Sequence, residues 1–563
     1  MPRPPAPTPV DPSLLSPSGP YRALKQFGLV LLCAAWVLLG LAGHDPWKTE
    51  DATTFGIAWE MTQRGDYVVP YLAGEPYLVR PPLVPAAAAL FIGAFSPPLT
   101  PHSAARLAVG LALTLILLCT ALASRELSGR PFRWLPVLIL IGSIGLWERA
   151  HALSAELGLT LGITVALYAF ALALRRPIAG GVLLGIGTAI AFLSRGLLGP
   201  LWLAATAAIV PACGAPWRTP KYAMTVVIAL VVAAGLAAPW LVALDARDPA
   251  LFESWRTAEM ARDFFAWGDP TRSIEPFYHA KNLLWFAWPA LPLVLWMVWT
   301  RGRGFNGGLA GSELRLPAVL ALVILAGLAL MPDPRLIHAL PLLVPLALLA
   351  ALEVDSLKRG FSGALDWFGI LTFGLLSLLL WGLWIDSYTH GMSPQVARFF
   401  RDSETGFQPR FHLGTILAAL FLTALWVVLV RPARRSNRRT VLNWAAGMTL
   451  LWGLYSTIWL PYLDSRRSYR SVVEAAATHL PAQGCVGSRY LGEPQRALFH
   501  YFANVVTIRA EVDTHAEDCP ALLVQYGRQE GAPPALPGWQ VEWEGRRRGD
   551  ETERYVVYLK EAP

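Results

Sequence analysis

Carboxylates and arginines gather at the margins of apolar runs in this chain, where charge is costly and usually tied to function. Glu50 and Asp51 follow the first run, and Glu148, Arg149 and Glu156 flank the turn between the third and fourth. Arg195 separates the fifth from the sixth, and Asp333, Arg335 and His338 lie between the ninth and tenth. If successive runs cross a bilayer in alternate directions, every one of these groups falls on the same face. Random placement would scatter them, so the spacing predicts one polar cavity opening outward. Guanidinium forks suit phosphate oxygens, which they bind in pairs. A carboxylate beside such a site can take the proton of an incoming hydroxyl. Together these residue types point to group transfer from a lipid-linked phosphate, and they fit a transporter of an acidic substrate as well. Serine–base pairs are missing, and His44, His151 and His279 lack ligand spacing, so neither a metal nor a cofactor is expected.

The elements that must position these groups follow from composition. Of 563 residues 54% are apolar and only 15% charged, well below the roughly 25% charge of soluble domains. Apolar runs of the length needed to cross about 30 Å of hydrocarbon recur from Phe27 to Leu460. The first spans 27–41. Twelve more fall near 103–124, 134–148, 153–174, 178–194, 197–213, 222–243, 282–300, 316–331, 336–352, 366–385, 412–430 and 441–461, about thirteen in all. The 47 Lys and Arg exceed the 39 Asp and Glu, but they sit in short clusters between apolar runs, which speaks for topology and against nucleic acid. Clusters such as Arg175–Arg176 and Arg434–Arg435 occupy alternate loops, which puts the N-terminus in the cytoplasm and the last hundred residues outside.

The expected organisation has three parts. Residues 1–22 carry eight prolines and read as a disordered cytoplasmic tail. Residues 23–461 form the membrane domain, with long outer loops at 44–102 and 244–281; "EDATTFGIAWEMTQRG" in the first reads as a helix lying along the membrane surface. Residues 462–563 read as a small α/β domain, with a helix at "SVVEAAATHL" and strands at "GCVGSRYL", "NVVTIRAEV", "ALLVQYG", "WQVEWEG" and "RYVVYLK". Cys485 and Cys519 both lie in that outer domain beside expected strands, so a disulfide between them is expected.

The stretch "HDPWKTEDATTFGIAWEMTQRGDYVVPYLAGEPYLVRPPL" resembles the first periplasmic loop of the bacterial aminoarabinose (lipid A) transferases, in the protein mannosyltransferase-like GT-C superfamily. The shared marks are an acidic pair after the first helix, then "EM", "GD", "VVP", "GEPY" and a basic residue before Pro81 and Pro82. Weaker echoes at "ALSAELGLTL", "FLSRGLLGP" and "PRLIHALPLLVPLALL" extend the match to about residue 350.

The resemblance implies thirteen membrane helices with a periplasmic C-terminal domain, in the inner membrane of a bacterium and with the active site facing the periplasm. It also implies inverting transfer of a sugar from a polyprenyl (undecaprenyl) phosphate carrier to lipid A or another periplasmic glycan, without a metal. A protein acceptor, or a non-catalytic flippase or carrier of lipid-linked sugar, are the rival readings. Glu50 aligns with the family's catalytic Asp and is the expected base, with Asp51 as the alternative. Glu156 is expected to position the acceptor, to orient the arginines or to pair with Arg149. Tyr77, Arg80, Arg195, Arg262, Arg335 and His338 are the expected donor-phosphate set; for the arginines the bland reading is snorkelling to headgroups, and for Tyr77 an interfacial belt. The chain departs from the family in having Glu50 then Asp51 for Asp then Glu, Glu156 for Asp, Arg80 and Arg195 for Lys, and Ala339 for Tyr.

Overall fold

Helix boundaries follow local chemistry. Thr100, Ser154 and Thr219 accept backbone N–H groups at the starts of Pro101–Ala105, Ala155–Ala173 and Pro220–Arg247, and Gly196 (φ +71°) ends Pro177–Arg195. The computed structural model describes residues 19–129, 133–259, 274–391, 411–431, 436–481, 483–527, 533–550 and 552–561. Most of the 1–22 tail lies outside these residues, but Gly19–Arg22 already belong to the first helix, Gly19–Leu38.

All thirteen apolar runs fall on helices, yet not as thirteen full-length crossings. Seven helices among the described residues are long and apolar enough to cross a membrane, or eight if Tyr278–Phe286 and Ala290–Gly302, bent by 98°, count as one. Part of the shortfall comes from breaks inside the runs, and part from helices that are short, such as Leu198–Cys213. Run 134–148 stops as Leu135–Ile141 and resumes after a 3-10 turn as Trp147–Ala150. Run 336–352 opens with a 3-10 turn, Leu336–Ala339, before Leu340–Ala351. The bend in 282–300 falls at Pro289, whose missing N–H cannot continue the preceding helix. Conversely, the outer segment 44–102 holds an apolar helix, Leu83–Phe95, that the run count misses. The chain is a multi-pass membrane protein, mostly helical, with a small α/β region at its C-terminal end.

Two close approaches set the frame of the site. Ala155–Ala173 and Pro177–Arg195 pack along glycines: a Cβ at Gly162 would lie 2.6 Å from the Gly187 carbonyl oxygen. Small residues at such seams let membrane helices touch backbone to backbone, which brings the side chains at their common end within pairing distance. The second approach joins the Glu50–Arg64 helix to Glu493–Ala503, where a Cβ on Gly56 would lie 2.5 Å from the Ala497 Cβ. The apolar face of Glu50–Arg64 is therefore covered by protein. Ala52, Phe55, Ala58 and Met61 are at most 1% exposed and pack against protein, because helix Glu493–Ala503 and the Leu83–Phe95 helix cover that face.

The outer segment 66–80 is shaped by a two-stranded hairpin, β1 (Tyr71–Leu72) and β2 (Glu75–Pro76), turned at Ala73 and Gly74. The first part of the expected loop 244–281 is largely helical, since Pro220–Arg247 runs into Pro249–Ser254 and a π turn at Trp255–Glu259, and Ile274 forms a bridge with Pro332 before the helix that starts at Tyr278. Near the C-terminus, helix Arg470–Ala477 and strands β3 (Val486–Arg489), β4 (Thr507–Arg509), β5 (Ala521–Gly527), β6 (Trp539–Arg546) and β7 (Glu553–Lys560) occupy the segments read as helix and strands. The sheet order is β4-β3-β5-β7-β6, with β3 parallel to both β4 and β5 and the remaining pairs antiparallel. A parallel β3–β4 pair needs a crossover, and Glu493–Ala503 supplies it. Because β3 and β5 run side by side, the residues that lead into them meet: Cys485 and Cys519 are disulfide-bonded, with a Cα–Cα distance of 5.2 Å.

Candidate active site

The centre of the site is a fully buried carboxylate. Ser154 caps the helix that carries Glu156 in its first turn, and packing leaves Glu156 0% exposed. A bare carboxylate there would be prohibitive, and cations surround it. Arg80 Nη1 lies 3.0 Å and Arg195 Nε 3.3 Å from Glu156 Oε1, and His338 Nε2 approaches the same oxygen at 3.7 Å. Arg195 ends a membrane helix, Arg80 follows the hairpin, and His338 sits in the 3-10 turn that opens Leu340–Ala351. Three separate segments thus converge on one side chain. Glu156 thus holds two guanidinium groups that both line the space in front. The pairing with Arg149 does not form; that side chain lies over the rings of Trp285 and Phe286.

That space is a cavity of about 330 Å³, lined by Arg80, Arg195, Arg335, Glu50, Tyr77 and His338 among others. Glu50 is the first residue of its helix and 20% exposed, and Arg335 Nη1 hydrogen-bonds to Glu50 Oε1. Asp333, in the left-handed region at φ +50°, turns the chain just before Arg335 and also borders the cavity. Tyr77 donates its hydroxyl to Glu493 Oε2 at 2.6 Å. Of the expected donor set, only Arg262 is not brought here, since it lies outside the described residues.

The expectation of a single cavity divides in two. Asp51, one residue after Glu50, is 6% exposed and lines a smaller polar space of about 90 Å³ behind the first, together with His44, Arg106 and Glu148. Its carboxylate is committed to structure: Oδ1 accepts the Leu153 N–H at 2.9 Å, and Oδ2 lies 2.9 Å from His102 Nε2 and accepts the Trp47 N–H at 3.3 Å. Burial pushes the Asp51 carboxyl up, but His102 and the Arg106 guanidinium outweigh it and hold Asp51 well below the ordinary carboxylate range. Successive residues of one helix start point about 100° apart, and that rotation separates the two acids. Glu50 alone of the acidic pair borders both spaces.

The residue that sequence reasoning missed is Glu493. It opens the crossover helix of the C-terminal sheet and lines the main cavity beside Tyr77. "EPQRALFHYFA" carries usable signals, an acid and a proline at a helix start with Leu498, Phe499 and Phe502 at helical spacing. The same helix anchors the hairpin: Arg496 Nη2 pairs with Glu75 at 3.0 Å, and His500 Nδ1 lies 3.2 Å from Glu60. Among the described residues no group of three or more His, Cys, Asp or Glu is arranged to hold a metal.

No protein-family model matches the chain. It is 26% identical over 487 residues, 81% of each chain, to the undecaprenyl phosphate-alpha-4-amino-4-deoxy-L-arabinose arabinosyl transferase of Aeromonas salmonicida. It is likewise 26% identical over 398 residues to the same-named protein of Pectobacterium atrosepticum, covering 68% of this chain and 67% of the relative. Among solved structures, ArnT from Cupriavidus metallidurans bound to undecaprenyl phosphate superposes with a TM-score of 0.67 at 15% identity, over 96% of this chain and 98% of that one. Its apo state gives 0.66 at 16% identity, with the same coverage. The chain thus shares the fold of that transferase along nearly its whole length and is similar in sequence to aminoarabinose transferases over two-thirds to four-fifths of theirs.

Proposed function

We propose that the chain is an inverting glycosyltransferase of the bacterial inner membrane. It moves a sugar from a polyprenyl (undecaprenyl) phosphate carrier to lipid A or another periplasmic glycan, in a cavity that faces the periplasm. The observation that carries this reading is the meeting of Arg80, Arg195, Arg335 and Glu50 at one cavity, with Arg80 and Arg195 held by buried Glu156 and Arg335 paired with Glu50. A phosphodiester seated there meets guanidinium donors on one side and a partly exposed carboxylate on the other. The names of the relatives, arabinosyl transferases that use an undecaprenyl phosphate sugar, support the same donor class.

The chemistry follows from charge. As the bond between the sugar's anomeric carbon and the phosphate oxygen breaks, negative charge grows on the leaving phosphate, and Arg80 and Arg195 stabilise it. The acceptor oxygen bonds to that carbon from the opposite face, and its proton passes to Glu50. Polyprenyl phosphate leaves, and Glu50 gives up its proton to solvent. Arg335 is paired with Glu50, and a phosphate that engaged Arg335 would leave the carboxylate a freer acceptor for the proton. Cysteines 485 and 519, joined near the ends of two sheet strands, fit an oxidising compartment for the C-terminal region, residues 462–563.

The test is comparative mass spectrometry of lipid A and periplasmic glycans from host cells with and without the chain. A glycan or lipid A species heavier by one sugar residue, present only with the intact protein and lost in Glu50→Gln, is the expected result. Identical profiles, with lipid-linked sugar nonetheless reaching the periplasm, would overturn transfer in favour of a flippase.

A further inference from the structure

The helix that presents Glu50 begins without a side-chain cap of its own. Thr49 stands at its N-cap position, where a threonine hydroxyl commonly accepts an N–H of the first turn, but it makes no such bond. The start is held instead from the segment before it. Residues 39–49 form neither helix nor strand, so side-chain contacts set their course. Asp51 reaches back to the Trp47 N–H; the other holds come from the far end of the chain. Asp464 Oδ1 accepts the Asp45 N–H and the Trp47 indole N–H, each at 2.9 Å. Asp45 accepts the Ser468 hydroxyl at 2.7 Å and Arg470 Nε at 3.0 Å. Lys48, two residues before Glu50, pairs with Glu553.

The last of these contacts is the nearest to Glu50 and the most firmly anchored. Glu553 opens β7, and its Oε2 accepts the hydroxyls of Tyr469 at 2.9 Å and Tyr555 at 3.0 Å, both on fully buried rings. The Gln495 amide reaches the same oxygen at 3.3 Å. One oxygen gripped by three donors leaves the other, Oε1, aimed at the Lys48 ammonium. Glu553 lines neither of the two polar spaces, whereas Lys48 and Thr49 border the smaller one beside Glu50. The shortest link from Glu553 to the cavity therefore runs through Lys48 and the helix start.

We propose that Glu553 is a positioning residue for the base: through Lys48 it fixes the helix start from which Glu50 projects into the main cavity. The inference rests on the reading of Glu50 as base given above. A displacement near 1 Å, caused far from the reacting atoms, can cost about a hundredfold in rate, so an anchor two residues from the base has leverage on turnover. Glu553 acts on the proton-transfer step from outside the cavity, and the phosphate-binding arginines are not part of its path.

The experiment compares Glu553→Gln, Lys48→Met, the double variant and Lys48→Arg in the full-length protein. Initial rates of sugar transfer are read by mass spectrometry in host membrane vesicles holding equal amounts of each, and binding of undecaprenyl phosphate is measured on purified protein in nanodiscs. Each single variant should transfer about tenfold more slowly. Affinity for undecaprenyl phosphate should stay within about twofold and the number of sites per chain should match the parent, which separates a misplaced base from unfolded protein. The double variant should be no slower than either single, because the two residues act through one contact. Lys48→Arg, which keeps the ion pair, should restore the rate to within about threefold. A field effect on Glu50 alone would move the single variants in opposite directions, since one removes a positive and the other a negative charge. That result, additive losses, or parental rates in both singles would overturn the assignment. Glu50→Gln separates the two levels. If it is inactive while Glu553→Gln and Lys48→Met match the parent, only the positioning role falls; if it transfers normally, the reading of Glu50 as base falls and takes the inference with it.

Discussion

Glu50 and Asp51 are neighbours in the chain and belong to different environments. Around Glu50 the groups are few, partly exposed and aimed into open volume: Arg335 is 48% exposed on its side chain and Glu50 20%. Asp51 itself is buried, with its carboxylate gripped by two backbone N–H groups and the His102 ring. A carboxylate that must accept a proton and release it needs access and an incomplete shell; one that orders a chain entry needs the reverse. The pair shows that an acidic doublet at a membrane helix margin is not one functional unit. One acid faces the open cavity while the other fixes the helix start from which it projects.

Glu50→Gln should break the first half of this comparison most severely. It preserves size and helix start while removing basicity, and turnover should fall by about 10²- to 10⁴-fold with binding of undecaprenyl phosphate intact. If transfer instead survives in Glu50→Gln and vanishes in Asp51→Asn, the two roles must be exchanged. If both variants transfer normally, neither is the base.

Asp51→Ala should break the second half. It strands His102 and Arg106 in a buried space, and removing one partner of such a cluster costs about 3–5 kcal/mol of stability, read as a lower melting temperature in detergent. Reduction of the Cys485–Cys519 bond, which closes a separation of 34 residues, should cost about 3–4 kcal/mol in the chain-entropy model and loosen the C-terminal region first. Full labelling of both thiols in unfolded, unreduced protein would refute the pairing.

Arg80→Ala and Arg195→Ala should each weaken donor by about 1.5–3 kcal/mol and affect acceptor less, and unchanged donor affinity in both would make them lipid-facing anchors. The smallest effect is a pH dependence. Burial raises the Glu60 carboxyl, but the His500 ring and the Gly74 N–H outweigh it, so Glu60, like Asp51, titrates below its ordinary value when folded. A depressed carboxylate contributes stability that is present above about pH 4 and is lost as pH falls through the folded value. Melting temperature should therefore drop below about pH 4, and Asp51→Asn should flatten that limb.

The chain's own residues were enough for the membrane class, the C-terminal strands and the identity of most cavity groups, because hydrophobic runs and period-two patterns are local properties. The charged residues at run margins were equally plain, since few side chains are as costly to leave in a bilayer. The division of labour between Glu50 and Asp51 was not accessible. Both are acidic, adjacent and at a helix start, and only the approach of Leu153 and His102 from distant segments commits one of them. Glu156 likewise needed the glycine seam to Pro177–Arg195 before its partners could be identified as Arg80 and Arg195, with Arg149 turned elsewhere. The burial of Glu50–Arg64 and the arrival of Glu493 in the cavity required a helix more than 400 residues away in sequence. Residue type sets which chemistry is possible, and that much is written locally. Which group is exposed, paired or aimed at a substrate depends on burial and on partners from remote segments, and these exist only once the helices have packed.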